Sequence, residues 1–183
     1  MKPTKLNLGS GNHLIDGWEN VDCRQLPGVD RVVDLNKKRW PWKGGNVEEI
    51  ITSHALEHLR DPLAALNECH RILRPGGSIT VIVPHAAGYM ANSPGHYSVF
   101  SAMWFEAFSC SRDCQYALDK LWVKQELKMF IAHHRHYAFI PWTARVLMRV
   151  WEKFWNKTWT RRMAWEMVGI FPPGEIKWTA MKK

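Results

Sequence analysis

The sequence is poor in cysteine and has no long apolar run. Its four cysteines, among 183 residues, show none of the Cys-x-x-Cys spacing of a zinc site. We therefore expect free thiols in a reducing compartment rather than a disulfide framework. No stretch reaches the roughly 18 apolar residues of a membrane-spanning helix, and the chain enters its first apolar segment at Lys5 without a signal-peptide core. These absences predict a cytoplasmic protein.

Acidic residues are also scarce, but only in the second part of the chain. Residues 1–108 carry 11 basic and 11 acidic side chains, whereas residues 109–183 carry 14 and 6, so the net charge of +8 belongs to the C-terminal part. This part is therefore expected to meet any anionic surface or substrate. The length and the 46% hydrophobic content fit one sizeable core, and we predict a single domain over residues 1–183.

A pair of glycines follows the first predicted strand. Lys5 to Leu8 form the strand, Gly9 and Gly11 follow it, and a second strand near 18–21 ends at Asp22. In nucleotide-binding α/β domains such a loop brings backbone N–H groups to the anionic end of a ligand, while the acid accepts the ribose hydroxyls. Because few residues separate Gly11 from the second strand, we predict a loop or a single turn there instead of a helix.

Strands and helices alternate farther along the chain. Further strands are predicted at 30–34, 49–54 and 79–84, and a helix begins with Asp61 as N-cap and Pro62 at its first position, ending at 75–77. In that helix we expect Glu68 and Arg71 to face outward. The alternation predicts an α/β fold with a doubly wound, mostly parallel sheet.

The order of these segments resembles the class I S-adenosylmethionine-dependent methyltransferases, in particular their small type 11 branch. The matching motifs are Leu56-Glu57-His58-Leu59, then Asp61-Pro62, then the run from Arg71 to Gly77, and the resemblance covers roughly residues 5–106. It implies a Rossmann-like methyltransferase sheet with a reduced first helix and S-adenosylmethionine as cofactor. The cofactor-binding part would occupy about 1–86 and the substrate side about 87–183.

The resemblance also implies a set of cofactor-binding residues. Asp22 would accept from the ribose diol and Asp34 from the adenine amino group. Asn7 stands where the family usually has an acid, so it either accepts from a ligand ammonium or only satisfies neighbouring backbone, and both readings remain open. The complete implied set is Asn7, Leu8, Gly9, Ser10, Gly11, Asn12, Asp22, Asp34, Leu35, Ser53 and His54.

Histidines are the candidates for acid–base chemistry. Methyl transfer from a sulfonium needs a positioned acceptor, and it needs a base only for a hydroxyl or a protonated amine. His85 and His96 are our first candidates for this base and His54 is the third, whereas we expect His58 to brace the turn that contains it. The loop at 88–97, which carries His96 and Tyr97, is predicted to border the substrate pocket.

The C-terminal part predicts a strand at 120–131, a long helix at 143–168 and a final edge strand at 175–180. The histidines at 133, 134 and 136 suggest a metal, but neighbouring side chains on an extended chain point to opposite faces, and we predict no metal site. The helix is basic and Trp-rich, with cations and tryptophans on opposite faces. Its aromatic face either packs on the domain or lies in an anionic membrane surface.

The methyl acceptor is less defined by the sequence. The chain lacks the Asn/Asp-Pro-Pro-aromatic segment of amino-methylating nucleic-acid enzymes, which makes nucleic acid a less favoured partner. The resemblance is greatest to methyltransferases of polysaccharide and other glycan or lipid-linked pathways, so we expect a small-molecule or glycan acceptor and an oxygen target. Two alternatives stay open: a binding or scaffold protein with a degenerate cofactor fold, and an RNA methyltransferase that uses the basic tail.

Overall fold

The computed structural model describes residues 4–88, 90–106, 122–130, 146 and 174–183. These residues form one seven-stranded sheet with the spatial order β3-β2-β1-β4-β5-β7-β6. The strands are β1 Thr4–Leu8, β2 Glu19–Asp22, β3 Arg31–Val32, β4 Val47–Ser53, β5 Leu73–Pro84, β6 Trp122–Phe130 and β7 Glu175–Lys182. A Rossmann-like, mostly parallel sheet is thereby confirmed.

The first five strands are parallel, and the last two are not. β7 lies between β5 and β6 and pairs antiparallel with both, for example through Val81 opposite Trp178. The predicted final strand is therefore present, but its assignment to the edge of the sheet was wrong. Its alternating burial, with Ile176, Trp178 and Ala180 inside, reflects packing of one face against the core.

Two helices are described. α1 spans Pro62–Ile72, and the Asp61 carboxylate accepts from the Ala64 backbone N–H at 2.9 Å, so the predicted cap and proline position are confirmed. The short α2 spans Ala102–Glu106, and a 3-10 turn at Leu56–His58 follows β4. The predicted helix at 143–168 lies outside the described residues except for its residue 146, as does the 133–136 histidine run.

The prediction that Glu68 and Arg71 face outward was wrong. Their side chains are 14% and 23% exposed, and they form an ion pair at 2.7 Å. Glu68 also accepts from the backbone N–H of Trp40, while Arg71 donates to the carbonyl of Trp42. The pair thus anchors the segment before β4 to α1, because that segment lies over the helix face that periodicity alone would leave in water.

Two strand boundaries differ from the predictions. β3 is only two residues long, since the chain turns away after Val32. β5 begins at Leu73, directly after α1, and the Pro75-Gly76-Gly77 segment lies within its assigned span. A Cβ on Gly77 would stand 2.9 Å from the Arg74 carbonyl oxygen, so only glycine fits this narrow bend.

The core includes buried side chains of the central strands, among them Leu6, Ile50 and Val81. Its largest fully buried side chains include Trp178, Phe100 and Phe105, which contact one another near α2 and β7. Trp40 is buried as well and donates its indole N–H to the Leu35 carbonyl, so it packs locally. No helix among the described residues is long and apolar enough to cross a bilayer.

Candidate functional site

The glycine loop lies where the strand order reverses. The chain runs from β1 outward to β2 and β3, then returns to β4 on the other side of β1. In open α/β sheets, ligands bind beside the carboxyl ends of strands at this switch point. Gly9 follows β1 with φ +69°, and a Cβ on it would stand 2.3 Å from the Ala55 Cβ after β4. The loop is therefore pressed against the neighbouring strand end, and glycine is required there.

Backbone hydrogen bonds hold the loop to β2. The Ser10 N–H donates to the Val21 carbonyl at 2.9 Å, and the Gly11 N–H donates to the Asp22 carboxylate at 2.9 Å. Residues 11–18 contain turns and no helix, as predicted. No helix dipole stands behind the loop, so a ligand here depends on individual N–H groups and side chains.

Asp22 is a buried carboxylate held by several donors. Burial raises its pKa, but hydrogen bonds from the Arg24 and Gly11 backbone N–H groups and the Arg24 guanidinium outweigh burial, and the pKa lies below its usual range. Both Arg24 donors reach Oδ1, while Oδ2 accepts from Gly11. Since each carboxylate oxygen can accept about two bonds, Oδ2 keeps one acceptor direction for a ligand hydroxyl.

The loop has features that fit a nucleoside cofactor. A Cβ on Gly11 would meet no atom within 4 Å, so there is room directly beside the residue that binds Asp22. The Ser10 hydroxyl oxygen is buried and has no hydrogen-bond partner among the described residues. An orphaned buried hydroxyl beside open space is costly unless a ligand satisfies it. Ser10, Gly11 and Asp22 are therefore suited to hold the ribose and the amino-acid end of S-adenosylmethionine.

Asn7 forms part of a buried amide network. Its side-chain nitrogen donates to the His13 carbonyl at 2.8 Å and to the Asn20 Oδ1 at 2.9 Å, which uses both of its N–H donors. This supports the interpretation that Asn7 satisfies neighbouring groups and shapes the loop. Its side-chain oxygen is the atom that could still accept from a ligand ammonium.

The remaining residues of the implied cofactor set differ in exposure. Leu8 is fully buried in the core, so its contribution to a ligand would come from the backbone. Asn12 is exposed in the turn, and Ser53 is half-buried at the end of β4. Asp34 is exposed after β3 and accepts from the Asn36 N–H at 2.9 Å, while Leu35 is half-buried beside it. Each of these residues lies at or after the carboxyl end of a parallel strand, so they lie along one edge of the sheet.

His54 is held between two acids. Its Nε2 lies 3.2 Å from Glu175 and its Nδ1 lies 3.3 Å from Glu57. These contacts, Glu175 first, raise the pKa of His54 to about 9, so the imidazole is protonated near neutral pH. Its φ of +53° is the left-handed exception among the described non-glycine residues. A protonated imidazole cannot take up another proton, which argues against His54 as the general base.

His85, unlike His54, is neutral near pH 7. It is 3% exposed, and burial lowers its pKa to about 4. Its Nδ1 accepts from the Ala87 backbone N–H at 3.0 Å, so in the neutral ring the proton must sit on Nε2. His85 can donate a hydrogen bond through Nε2, but it has no lone pair there to accept a proton. The structure therefore argues against His85, one of our two first candidates for the base.

His96 has the opposite tautomer. Its Nδ1 lies 3.3 Å from the Ala91 carbonyl oxygen, and the Nδ1 of His58 lies 3.0 Å from the Gly95 carbonyl oxygen. A carbonyl can only accept, so both Nδ1 atoms carry hydrogen and both Nε2 atoms keep a lone pair. The two rings meet edge to face with centroids 4.6 Å apart. Of the three candidate bases, His96 thus retains a usable lone pair, and it shares this property with His58.

Sequence reasoning did not assign Glu57 a role. It is 1% exposed, and its backbone carbonyl accepts from the Tyr97 N–H at 2.8 Å and from the Ser98 N–H at 3.3 Å. These bonds dock the 90–98 loop on the turn that follows β4. The Leu-Glu-His-Leu motif pointed to this turn as part of the methyltransferase resemblance. Only the fold shows that Glu57 lies beneath a loop forty residues downstream.

Comparison with known proteins agrees with this geometry. Residues 15–81 match a family described as "Methyltransferase domain". No curated relative matches the sequence. Among solved structures, an S-adenosylmethionine-dependent methyltransferase from Archaeoglobus fulgidus superimposes with a TM-score of 0.61 at 14% identity, covering 98% of this chain and 86% of that one.

Two further structures share the fold. A Thermotoga maritima protein described as a "possible histamine N-methyltransferase" has a TM-score of 0.58 at 13% identity, over 98% of this chain and 82% of that one. The Haemonchus contortus phosphoethanolamine N-methyltransferase 2, solved with S-adenosyl-L-methionine, has a TM-score of 0.55 at 13% identity, over 100% of this chain and 49% of that one. The domain match over residues 15–81 supports a methyltransferase with S-adenosylmethionine as its cofactor, and the solved structures agree with it in fold.

Proposed function

We propose that the protein methylates a hydroxyl oxygen. The acceptor would be a small molecule, a glycan or a lipid-linked sugar. The observation that supports this proposal is the cluster of Glu57, His58 and His96, in which both imidazoles keep an Nε2 lone pair. A hydroxyl is a weak nucleophile until its proton is removed or shared, so an oxygen acceptor needs such a group, whereas a neutral amine does not.

The cluster lies close to the cofactor loop. Ala55 touches Gly9, and the 3-10 turn that carries Glu57 and His58 begins at the next residue. When bound, S-adenosylmethionine supplies an electrophilic methyl group whose leaving group is a neutral thioether. The residues of the chain then have two tasks, which are to hold the acceptor oxygen in line with that methyl group and to remove its proton.

The cluster divides these tasks between its members. The Nε2 lone pair of His58 or His96 would accept the hydrogen bond of the acceptor hydroxyl and take its one proton. Glu57 would stabilise the positive charge that develops on that imidazole, because a buried carboxylate interacts strongly with a nearby cation. His85, whose Nε2 carries hydrogen, is suited to donate a hydrogen bond to another acceptor oxygen on the same side of the sheet.

Tyr97 supports a glycan or a lipid-linked sugar as the acceptor. Its backbone is anchored to Glu57, while its side chain is 66% exposed. An aromatic ring combines an apolar face with a polar tip, so it suits the mixed polar and apolar surface of a sugar. The neighbouring Val99 is 52% exposed and extends this apolar rim.

Labelled methyl transfer tests the proposal. The full chain is incubated with methyl-labelled S-adenosylmethionine and matched acceptors that differ only in bearing a hydroxyl or an amine, for example a sugar nucleotide or lipid-linked sugar and its amino-sugar counterpart. We expect label on oxygen. His58→Asn and His96→Asn should each lower kcat, since Asn can still donate to the same carbonyl but has no group at the Nε2 position.

The matched control is His13→Asn, which changes an exposed histidine outside the cluster. Binding of S-adenosylhomocysteine should be the same in all three variants, because the cluster does not belong to the cofactor pocket. Exclusive labelling of amines, or unchanged kcat in both cluster variants, would refute oxygen methylation by this site.

A further inference from the structure

We infer that Glu57, His58 and His96 form a binding site for a divalent transition-metal ion of the zinc type. Each residue offers one ligand atom, and the three atoms lie within 4.8 Å of one another. Two imidazole nitrogens and one carboxylate oxygen are ligands that zinc and its neighbours in the first transition row accept readily. The sequence predicted no metal, because these residues lie up to 39 positions apart in the chain.

Both histidines are oriented as metal ligands usually are. In protein metal sites, the ring nitrogen that does not touch the metal commonly donates to a carbonyl or carboxylate, which fixes the tautomer. Here the Nδ1 atoms of His58 and His96 face the carbonyls of Gly95 and Ala91, at 3.0 and 3.3 Å. The Nε2 lone pair is therefore the one available to a metal in both rings.

Glu57 supplies an independent observation. Its side chain is 1% exposed, and neither carboxylate oxygen accepts a hydrogen bond from a described residue. An ionised carboxylate withdrawn from water is costly unless a cation or hydrogen-bond donors compensate. His54 Nδ1 lies 3.3 Å from Oε1, as an ion-pair contact without hydrogen-bond alignment, and Oε2 accepts no hydrogen bond from the described residues. A metal ion would coordinate Oε2 and so compensate the charge of this oxygen.

The ligands come from two segments that the fold already holds together. The 3-10 turn after β4 supplies Glu57 and His58, and the loop docked on that turn supplies His96. Gly95, with φ +90°, adopts the left-handed conformation beside His58 that other residues rarely adopt. Binding would need the ligand atoms to draw closer than 4.8 Å, a movement that one exposed and one half-buried side chain can make.

Three protein ligands leave a coordination position open. Catalytic zinc sites commonly have this composition, whereas structural sites are closed by four protein ligands. With the metal bound, both Nε2 lone pairs are occupied, so the histidines no longer act as the base. The metal at its open position would instead lower the pKa of the acceptor hydroxyl, as metal ions do for bound water, and the proton would pass to solvent. This last step rests on the proposed function, while metal binding itself does not.

Metal binding is tested on the untagged full chain. The protein is stripped with a chelator and titrated with Zn²⁺ against a chromogenic indicator, and with Co²⁺ by visible absorption. All measurements use a background in which His133, His134 and His136 are replaced by Asn, so that this run cannot bind the metal. We expect one tight site per chain and a rise in melting temperature with Zn²⁺.

Three variants remove one ligand each: Glu57→Gln, His58→Asn and His96→Asn. Affinity should fall by at least the roughly 10–100-fold that loss of a second-shell partner causes, and His13→Asn should bind as the parent does. Binding of S-adenosylhomocysteine by calorimetry checks that each variant is folded. If Glu57→Gln does not bind S-adenosylhomocysteine, the variants His58→Asn and His96→Asn still test the metal site, because neither side chain is buried.

The outcomes separate this inference from the proposed function. Metal affinity that is equal in the parent and in the folded variants, or absent in the parent, overturns the metal site. If oxygen methylation is then still lost in the histidine variants, the proposed function stands without a metal. Conversely, a metal that binds and depends on all three ligands, in a protein that methylates only amines, supports the site and refutes the oxygen acceptor.

Discussion

Histidines 54 and 58 follow the carboxyl end of β4 and histidines 85 and 96 follow that of β5, and their partners give them different chemistry. His54 is a cation between two acids, and His85 is a buried donor whose Nδ1 is occupied by the Ala87 N–H. His58 and His96 donate from Nδ1 to carbonyls and keep Nε2 lone pairs. Acid–base competence is thus decided by which atom each ring meets, a property that follows from the fold.

Asp22 and Asp34 should differ in their importance for cofactor binding. Asp22→Asn removes the charge that holds the Gly11 N–H and the bond that Oδ2 can make to a ribose hydroxyl, whereas Asp34→Asn changes an exposed side chain. The Gly11 bond is already present without ligand, so the lost affinity is that of the single ligand bond. A charged hydrogen bond contributes about 1.5–3 kcal/mol, which corresponds to roughly 10- to 150-fold in affinity. Calorimetric titration with S-adenosylhomocysteine measures both variants, and equal losses would mean that the acids are wrongly assigned.

His85 should make stability depend on pH below neutrality. Its folded pKa of about 4 lies below the unfolded value near 6.5, so stability present above pH 6.5 is lost as the pH falls toward 4. Between pH 8 and 5 this linkage corresponds to about 2 kcal/mol of unfolding free energy. Urea denaturation of the parent and of His85→Asn, whose Oδ1 can still accept from Ala87, measures the difference.

The other titrating groups cancel in that comparison. His54 changes stability in the opposite sense, because its raised pKa stabilises the folded state below pH 6.5 and this effect is lost as the pH rises through about 9. His54 is present in both proteins, so its effect cancels in their difference. The plots of unfolding free energy against pH for the parent and for His85→Asn should therefore converge toward pH 5 because of His85 alone. Parallel curves would contradict this, because they would show that His85 takes up its proton as readily in the folded state as in the unfolded chain.

Among the elements, the glycine loop is the one most constrained by packing. Gly9→Ala should lower the free energy of unfolding through two effects. The left-handed backbone costs roughly 1–2 kcal/mol with a side chain, and the clash with Ala55 costs about 1–3 kcal/mol. Gly17→Ala has a similar φ of +76° with no atom within 4 Å of the added Cβ, so it should carry only the backbone cost.

A double-mutant cycle isolates the clash. The added methyl of Gly9→Ala would stand 2.3 Å from the Ala55 Cβ, and Ala55→Gly removes that atom. In chemical denaturation, the double variant should recover most of the difference between Gly9→Ala and Gly17→Ala. Additive losses in the cycle would mean that the loop and the end of β4 are not in contact.

Local sequence patterns predicted some elements better than others. The strands β1, β4 and β5 and the caps of α1 follow from short apolar runs, Asp61 and Pro62, because their determinants lie within a few residues. The position of β7 does not, since Met181 pairs with Ser78 about a hundred residues earlier. The inward packing of Glu68 likewise depends on Trp40. Trp40 lies outside α1, so the apolar periodicity of the helix does not include its effect.

The candidate site divides in the same way. The glycine loop and Asp22 were recognisable from spacing, because a turn of glycines followed by an acid at a strand end is a local pattern. The roles of the histidines were not, because Ala87, Ala91 and Gly95 decide which ring nitrogen carries hydrogen. Glu57 was read only as part of a motif, since its burial depends on the loop that covers it.

At the scale of the whole molecule, charge is unevenly distributed along the chain. The last 75 residues hold the entire positive excess. We propose that they bring the protein to an anionic membrane surface, where each basic residue contributes about 1 kcal/mol. The full chain should sediment with vesicles that contain acidic lipid and should dissociate as salt rises.

Substitutions in the basic stripe of the predicted 143–168 helix test this proposal. Replacing Arg145, Arg149 and Lys153 by Gln should weaken vesicle binding by about 3 kcal/mol, or roughly 100-fold, with an unchanged melting temperature. The matched control neutralises Lys37, Lys38 and Arg39, three exposed cations of the first half. Equal losses in the two triple variants would show that net charge alone matters, and no binding by the parent would refute the membrane surface.

The insertion of β7 between β5 and β6 has a consequence for the protein while it is still being synthesised. β7 leaves the ribosome after every other strand of the sheet, and the Gly174 carbonyl that pairs with the His85 N–H and the acid that pairs with His54 come with it. At about 5–20 residues per second, roughly 90 residues must be translated after Pro84 before this partner exists, which takes about 5–18 seconds. During that interval β5 has an unpaired apolar edge, which is a template for aggregation. We therefore expect the nascent chain to need protection at this edge, and the contacts of His85 and His54 with the β7 segment can form only after that segment has been translated.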